Sequence, residues 1–380
     1  MDNLIGIIIF LSVILVIEVS NMFILRRGSD RSLASPVPMI SVLIPARNEE
    51  LNIRKCVTSV LAQDYDSFEV IVLDDNSEDE TPDILTSLAK QNAALKIIHG
   101  SILPEAWAGK NWACHQLSEV AEGELLLFID ADTHMKTGCL RSLVRKMQDT
   151  KSDLLSALPE QEVISWGEKF IVPVMHWSIL CFIPLGISYM FHLVSLSVSN
   201  GQCMCFARKA YEKIGGHAAV KNSVVEDRDL SRLVTQKGLR WRLVDGIGII
   251  SCRMYRSSQE AFDGLVKNLF PFFGYNIPFF VFVWFWLIIV FWQPIVTLVA
   301  LGIGIINFDI YIYYALAGIG LAVLIWGIFY LRFGFPIYLI FLYPFTQLII
   351  SSVAIASLAF NIKGTTSWKG RVITRYKFPS

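Results

Sequence analysis

The sequence lacks an excess of charge of either sign. Its 33 Lys and Arg side chains are balanced by 33 Asp and Glu side chains, so the formal net charge at pH 7 is zero. Proteins that bind nucleic acid usually carry a basic surface, because they must neutralise phosphates. The charge balance therefore argues against nucleic acid as a partner.

The sequence also lacks the cysteine patterns of metal sites and disulfide frameworks. It has seven cysteines, an odd number, and no Cys-x-x-Cys pair. Only Cys203 and Cys205 lie close together, and one intervening residue is poor spacing for a metal site. We therefore expect scattered, reduced thiols in a cytosolic domain.

Glycine-rich phosphate loops are absent too. Neither G-x-G-x-x-G nor G-K-[ST] occurs, so neither of these backbone cradles is available to a phosphate ligand. Phosphate charge would have to be met by a metal ion and by basic side chains. Lys110, in the segment WAGKNWACHQ, is the best basic candidate, with an exposed surface lysine as the alternative interpretation.

Charged residues are concentrated in residues 26–267 and are scarce in the apolar runs on either side, and 54% of all residues are hydrophobic. The first apolar run, residues 4–25, is predicted to be a retained membrane anchor, because no basic residue precedes it and no obvious cleavage site follows it. Arg26, Arg27 and Arg31 come next, which predicts an outward N-terminus and a cytoplasmic central domain at the cell membrane. We expect Glu18 to reach the headgroups from the cytoplasmic end of this run.

Three further apolar runs, at 278–306, 311–331 and 335–360, are each long enough to cross a hydrocarbon core of about 30 Å. Four spans would place the tail opposite the central domain, yet the tail has five basic residues and should stay cytoplasmic. Because the last run contains Pro336, Pro344 and Gln347, we expect it to be re-entrant or interfacial.

The predicted organisation is an anchor at 1–27, a cytosolic domain at 36–260, an interfacial segment at 261–277, a membrane region of two or three helices at 278–360 and a basic tail at 361–380.

The central domain alternates between strand-like and helix-like segments. MISVLIPARNEE, FEVIVLDDNSEDET, LKIIHG and ELLLFIDADT each contain a short, continuous apolar run, and residues 51–61 and 84–88 carry apolar side chains at helical spacing. Continuous apolar strands separated by helices predict a Rossmann-like α/β fold with a mostly parallel sheet covered on both faces. Ligands of such sheets bind beyond the carboxyl ends of the strands.

Polar residues follow three of these predicted strands. They are Pro45-Ala46-Arg47-Asn48-Glu49, Asp74-Asp75-Asn76-Ser77 and Asp130-Ala131-Asp132. The second group offers acceptors for a base edge or for ribose hydroxyls, although an Asx turn or a helix cap would use the same residues.

Asp130 and Asp132 converge on one point if the backbone turns directly after the strand. Mg²⁺ and Mn²⁺ prefer oxygen ligands of this kind and usually share them with substrate phosphates. The placement therefore favours a divalent cation and a diphosphate over a solvated turn. His134 is either an added ligand or a structural histidine.

A second acidic pair, Glu226 and Asp227, lies in the segment VVEDRDL. Carboxylates at the start of a helix are often only caps. The functional alternative makes Asp227 a general base that deprotonates an acceptor hydroxyl.

In their order along the chain, these segments resemble the family-2 glycosyltransferases, which have the GT-A fold. PARNEE, LDDNSEDET, FIDADT, NGQCMCFARKAYEKIGG and VVEDRDL all correspond, over roughly residues 40–268. The resemblance implies inverting transfer from a nucleotide sugar, a UDP-sugar in particular, in one displacement and without a covalent enzyme intermediate.

The resemblance also implies roles for individual residues. Asp75 would bind the uracil-type base, and Pro45, Arg47, Asn48 and Glu49 belong to the segment that lines the nucleotide pocket. By the same carry-over, Asp130 and Asp132 would hold nucleotide and metal, and Asp227, with Glu226 beside it, would be the catalytic base.

The acceptor is less well defined. The Gln-x-x-Arg-Trp motif of processive synthases is missing after VVEDRDL, which argues against a long polymer product. WAGKNWACHQ, CRMYRSSQEAFDGLVKN and SWKGRVITRYK look like the carotenoid- and hopanoid-associated branch, the 4,4'-diaponeurosporenoate glycosyltransferase type, which implies a lipid or isoprenoid acceptor. The alternatives are a polyprenyl-phosphate transferase, a short polysaccharide synthase, or a membrane scaffold or transporter with a degenerate sugar-binding domain.

The apolar segment 166–198 lies between the predicted metal residues and the predicted base. Because both must face one compartment, this segment cannot simply cross the membrane once. We expect a pair of interfacial helices that admits a lipid tail; an ordinary buried helix is the alternative.

Overall fold

The computed structural model describes residues 2–25, 36–305, 310–365, 367–368 and 371–372. Several basic residues on which the topology prediction rests lie outside the described residues, namely Arg26, Arg27, Arg31, Lys369, Arg375 and Lys377. Of Arg371 only the backbone is described, in a short hairpin of β11 (Ser367–Trp368) and β12 (Arg371–Val372). The orientation of the chain across a membrane therefore stays a prediction.

The predicted mostly parallel sheet is confirmed, and it has seven strands. They are β1 (Ile40–Ala46), β2 (Phe68–Asp74), β3 (Leu95–His99), β4 (Leu125–Ile129), β6 (Leu154–Leu158), β8 (Cys203–Ala207) and β9 (Trp241–Asp245). The first four are the strands that the apolar runs predict. The order across the sheet is β3-β2-β1-β4-β8-β6-β9, and only β8 runs antiparallel to its neighbours, β4 and β6.

A second sheet of three short strands was not predicted. It consists of β5 (Thr133–Met135), β7 (Glu160–Gln161) and β10 (Ile250–Cys252), with β10 in the middle. β5 follows Asp130 and Asp132 directly, so the sheet brings residues 250–252 beside the predicted metal carboxylates.

Pro45 lies within β1, opposite Leu73, and so the strand does not break at Pro45 as the sequence suggested. The reason is local. β4 pairs with β1 only as far as Leu43, so at Pro45 the strand has a neighbour on one side only. A proline, which has no N–H to donate, is tolerated at such a position.

Each face of the large sheet is covered by a separate apolar core. On one face, Val42 and Val72 pack in a core with the three helices that follow β1, β2 and β5. On the other face, Leu43, Ile71 and Phe128 pack in a core that continues into the long apolar helices. The helices packed around the sheet are α2 (Ile53–Leu61), α3 (Thr81–Gln91), α4 (Gly109–Val120), α5 (Cys139–Thr150), α9 (Arg208–Ile214) and α10 (Glu226–Gln236).

Four helical segments among the described residues are long and apolar enough to cross a membrane: Asn3–Ile24, Ile277–Gly302, Ile310–Phe333 and Ile337–Lys363. They correspond to α1 (Asp2–Ile24), α12 (Ile277–Gly302), α13 (Ile310–Phe333), and a 3₁₀ turn that continues into α14 (Tyr343–Lys363). The last segment has the length to span despite its prolines, and the expectation that it is re-entrant stays a prediction. Before α12, the predicted interfacial segment forms most of α11 (Ser258–Phe272).

The apolar segment 166–198 forms three short helices, α6 (Trp166–Ile171), α7 (Pro173–Phe182) and α8 (Leu185–Phe191). The chain breaks between α7 and α8, and there the axis of α8 bends by 55° from that of α6 and α7. Asn21 of α1 stabilises this break, because its side-chain amide donates to the carbonyls of Leu180 and Ile183, at 2.8 and 2.7 Å, and its oxygen accepts from the Leu185 N–H at 3.1 Å. The backbone groups that the break leaves unpaired are therefore satisfied from the neighbouring apolar helix.

Glu18 does not reach outward to headgroups as expected. Its side chain is fully buried, and neither carboxylate oxygen has a hydrogen-bond partner among the described residues. The cause is helix packing, because α1 is not an isolated anchor but packs against α7 and α13.

The apolar helices are tied to the sheet domain by polar contacts as well as by packing. Arg332, in the last turn of α13, forms an ion pair with Asp245, the buried last residue of β9. His176 of α7 lies 3.3 Å from the Asn200 amide, measured from ring Nε2 to side-chain Nδ2. The carboxyl end of the sheet is thus held against the helical bundle.

Candidate active site

The loops after β1 and β2 are joined by a dense set of hydrogen bonds. The Arg47 guanidinium donates to the Asp75 carbonyl at 2.7 Å, and the Asn48 N–H donates to the Ser77 hydroxyl at 3.0 Å. The Glu49 N–H donates to the Thr81 hydroxyl at 2.8 Å. These predicted nucleotide-binding residues therefore hold the two loops together, next to the buried Asp75.

Two asparagines in these loops adopt a left-handed backbone conformation, Asn48 with φ of 51° and Asn76 with φ of 53°. Asparagine tolerates this region better than most residues. The Asn48 side-chain oxygen also accepts from the Glu78 N–H at 2.9 Å. After β2 the Asp74 carboxylate accepts from the N–H of Ser77, three residues further along, at 3.2 Å, which is a bond of the helix-cap kind rather than that of an Asx turn.

Lys110 joins the two acidic groups that the sequence singled out. Its Nζ lies 2.7 Å from Asp130 Oδ1 and 3.0 Å from Glu226 Oε1. Asp130 follows β4 and Glu226 begins α10, so the lysine at the start of α4 brings the predicted donor side and the predicted catalytic side into one cluster. Burial opposes its charge, but the two carboxylates raise the pKa of Lys110 well above its usual value.

Asp227 is held at the edge of this cluster. Its Oδ2 accepts from the Gly201 N–H at 3.0 Å, and its Oδ1 accepts from the Arg228 N–H at 2.7 Å. A Cβ on residue 201 would lie 3.3 Å from Lys110 Nζ and 3.5 Å from Asp227 Oδ2, so a glycine keeps this space open. Lys110 and Asp227 thus approach the same small volume.

The pKa values of the two neighbouring carboxyls, Asp227 and Glu226, are shifted in opposite directions. Burial and the charge of Glu226 raise the pKa of Asp227 to about 7. Burial also acts to raise the pKa of Glu226, but the ion pair with Lys110 outweighs it and lowers that pKa. A carboxylate pair with separated pKa values suits proton transfer near neutral pH.

Replacing Lys110 by Met is expected to destabilise the folded chain, and the loss should grow with pH. Without the lysine, burial would raise the pKa of Glu226, so stability would be lost as pH rises through that raised value. We expect about 1–2 kcal/mol at pH 8, below the roughly 3–5 kcal/mol for a fully buried pair, because the Lys110 side chain is 37% exposed. Thermal unfolding of the full chain in detergent at pH 5 and pH 8 measures this.

The matched control is the double variant Lys110→Met/Glu226→Gln. It removes the isolated buried carboxyl together with the lysine, and its melting temperature should depend less on pH than that of the single variant. A single variant as stable as wild type at pH 8 would show that the ion pair has no structural role.

Asp132 lies at the junction with the small sheet. Its Oδ1 accepts from the Cys252 thiol at 3.3 Å, and its carbonyl accepts from the Arg253 N–H at 3.4 Å. Asp130 and Asp132 are both partly exposed. Two hard carboxylates at one strand end suit Mg²⁺ or Mn²⁺, which keep several waters and use substrate phosphates to complete their shell.

His134 does not complete a metal-binding group. Its Nε2 lies 2.7 Å from the Ser251 hydroxyl and 3.2 Å from Glu162 Oε1. Burial and the nearby Lys55 lower the pKa of His134. Over residues 2–25, 36–305 and 310–365, no group of three His, Cys, Asp or Glu side chains lies close enough together to hold a metal ion.

Several residues of this site carried no recognisable signal in the sequence. Gly201 and Gln202 lie in a segment that was used only for the resemblance. Arg228 is buried beside Asp227, and its guanidinium donates to the Pro271 carbonyl at 3.1 Å and to the Phe272 carbonyl. The first turn of α10 is therefore attached to the end of α11, just before the apolar helix α12.

All seven cysteines are buried and free, as expected for reduced thiols. Cys252 nevertheless contacts Asp132, and Cys56 lies near the same strand end, with its thiol 3.8 Å from the Asp130 carbonyl. Their spacing in the sequence gave no indication of this placement.

The fold is an α/β domain with a mostly parallel sheet and an acidic cluster beyond its strand ends. A family model described as glycosyl transferase family 2 matches residues 41–215. These residues thus form a family-2 glycosyltransferase domain, as the resemblance implied. The mannosyltransferase PcManGT from Pyrobaculum calidifontis, solved with GDP-Man and Mn²⁺, shares the fold: its TM-score is 0.57 at 17% identity, covering 94% of this chain and 99% of that chain.

Curated relatives are similar over parts of their length. A beta-monoglucosyldiacylglycerol synthase from Trichormus variabilis is 33% identical over 127 residues, which are 33% of this chain and 27% of the relative. A 4,4'-diaponeurosporenoate glycosyltransferase from Staphylococcus haemolyticus is 26% identical over 242 residues, 60% of each chain. The chain thus spans between 27% and 60% of the length of these relatives.

Proposed function

We propose that the chain transfers one sugar from a nucleotide sugar to a lipid acceptor at a membrane surface, by a single inverting displacement. The observation that carries this is the Lys110 bridge, which joins Asp130, on the donor side, to Glu226, next to the candidate base Asp227. In this cluster the anomeric carbon of a bound nucleotide sugar and an acceptor hydroxyl would lie close enough to react.

The donor would bind along the loops after β1, β2 and β4. Asp75, with Pro45, Arg47, Asn48 and Glu49 around it, would hold the nucleoside, for which the family resemblance favours uridine. Asp130 and Asp132 would hold a divalent cation, which when bound neutralises diphosphate charge and stabilises the leaving group. Lys110 would exchange one of its carboxylate partners for a phosphate oxygen.

On the acceptor side, the raised pKa of Asp227 makes its carboxylate a stronger base for the proton of the acceptor hydroxyl. As the acceptor oxygen forms its bond to the anomeric carbon, the bond from that carbon to the diphosphate breaks and the acceptor proton passes to an Asp227 oxygen. The nucleoside diphosphate leaves with the bonding electrons. Because attack comes from the face opposite the leaving group, the anomeric configuration inverts.

Two features support a lipid acceptor: the contacts that attach the site to the apolar helices, and an exposed apolar helix tip. Arg228 attaches the start of α10 to the end of α11, and His176 of α7 lies beside Asn200, next to Gly201. At the tip of α8, Met190 and Phe191 are exposed by 74% and 63%. An apolar tip beside the apolar helices suits contact with the bilayer interface, where an amphiphilic isoprenoid would present its polar end.

The full chain in lipid nanodiscs, supplied with radiolabelled UDP-glucose, UDP-GlcNAc or GDP-mannose, tests the proposal. The acceptors offered are a carotenoid acid, a hopanoid polyol, diacylglycerol and a polyprenyl phosphate. We expect the carotenoid acid or the hopanoid polyol to carry one labelled sugar per molecule and to be recovered in the organic phase. Labelled polyprenyl phosphate or a polymer would support an alternative transferase, and the absence of transfer from every donor would overturn the proposal.

A further inference from the structure

A chain of three hydrogen bonds, of which the first two are buried and the last is partly buried, ends on Asp132. The Gln161 amide donates to Gln202 Oε1 at 2.7 Å, the Gln202 amide donates to Cys252 Sγ at 3.0 Å, and the Cys252 thiol donates to Asp132 Oδ1 at 3.3 Å. Gln161, Gln202 and Cys252 are all buried. The chain therefore runs through the protein interior from β7 to the strand end after β4.

The direction of the last bond is fixed by chemistry, because a carboxylate oxygen accepts and the Cys252 thiol carries the hydrogen. A thiol has one hydrogen, and Cys252 Sγ already accepts from the Gln202 amide. Its hydrogen is therefore directed to Asp132 Oδ1, which accepts at 3.3 Å. The Thr133 hydroxyl also donates to this oxygen, at 3.3 Å.

We propose that Cys252 is a positioning residue for the carboxylate of Asp132, and that Gln202 directs the Cys252 thiol toward it. This inference rests on the proposed function, in which Asp132 holds the divalent cation. Groups that hydrogen-bond a metal-binding carboxylate fix its orientation, and their loss typically weakens metal affinity or activity by about 10–100-fold. Cys252 would thus act on donor binding without touching the donor.

Titration of the purified full chain in nanodiscs with Mn²⁺, in the presence of UDP, tests this by calorimetry or by the electron paramagnetic resonance of free Mn²⁺. We expect Cys252→Ala to raise the Kd for Mn²⁺ by about 10-fold or more. Cys252→Ser retains a donor of similar reach and should stay within about 3-fold of wild type. UDP binding without metal should be the same in all three proteins.

Cys205 provides the matched control, because it is equally buried, in β8, but donates to no carboxylate in the described part of the chain. Cys205→Ala should leave the Kd for Mn²⁺ unchanged. A second variant, Gln202→Met, keeps the thiol but removes the amide that directs it, and should weaken Mn²⁺ binding in the same direction as Cys252→Ala.

An unchanged Kd for Mn²⁺ in Cys252→Ala, or an equal loss in Cys205→Ala, would overturn the positioning role and leave the proposed function intact. A wild-type chain that binds UDP with no dependence on Mn²⁺ would instead overturn the metal site itself, and the inference with it. The two failures are therefore distinguishable in one titration series.

Discussion

Asp227→Asn is expected to lower kcat for sugar transfer by about 10²–10⁴-fold, the usual contribution of a general base. An amide has the size of the carboxyl but cannot take the acceptor proton. It can still accept from the Gly201 N–H that now bonds Asp227 Oδ2. Donor affinity should therefore change little, and calorimetry with UDP and Mn²⁺ should separate the loss of kcat from any loss of binding.

The pH dependence of wild-type kcat provides an independent check. The pKa of Asp227 is raised to about 7 by burial and by Glu226, and the base acts only when deprotonated. Activity should thus fall as pH decreases through about 7, whereas an unperturbed aspartate would stay active down to about pH 4. Asp263→Asn, an exposed aspartate on α11, is the control and should keep the wild-type profile. Loss of nucleotide binding alone in Asp227→Asn would contradict its role as a base.

The same raised pKa has a consequence for stability, with a definite sign. The folded state holds the Asp227 proton more tightly than the unfolded chain, whose aspartate titrates near 3.8. The resulting stabilisation is complete below about pH 4 and is lost as pH rises through about 7. Asp227→Asn should therefore gain stability relative to wild type between pH 5 and pH 8, measured by thermal unfolding in detergent.

The strands that hold this site were predictable because each is a local signal. The runs that form β1, β2, β3 and β4 are continuous and apolar, and their carboxyl ends were identified as the site from the logic of parallel sheets. The small sheet of β5, β7 and β10 has strands of two or three residues, and its pairing joins residues that are 91 to 119 positions apart in the sequence. A periodicity argument cannot detect it.

The composition of the site was predicted better than its connections. Lys110 was chosen for its charge, yet its simultaneous contact with Asp130 and Glu226 depends on how α4 packs against two distant elements. Cys252 was interpreted as one of several scattered, reduced thiols, because nothing local distinguishes it from Cys205. Glu18 was misplaced for a related reason, since hydropathy describes a helix against lipid and not against its neighbouring helices.

Asp132→Asn is expected to abolish transfer that depends on a divalent cation, while the chain stays folded and associated with the membrane. Replacing a ligand oxygen removes charge that the cation needs, so the loss should exceed the roughly 10–100-fold typical of groups that only position a ligand. Turnover with a radiolabelled nucleotide sugar, UDP binding with and without Mn²⁺, and sedimentation with membranes measure the three parts of this expectation. Full activity in the variant would contradict the metal assignment.

Treatment with a chelator makes this result specific to the metal. Chelation should reduce wild-type UDP binding to the level of Asp132→Asn and should have no further effect on the variant, because the two changes remove the same interaction. Asp227→Asn should respond to chelation as wild type does, since its own defect lies in proton transfer. If the effects of chelation and of Asp132→Asn instead multiplied, Asp132 would act on the donor by a route other than the cation, and the two carboxylates after β4 would have separate functions.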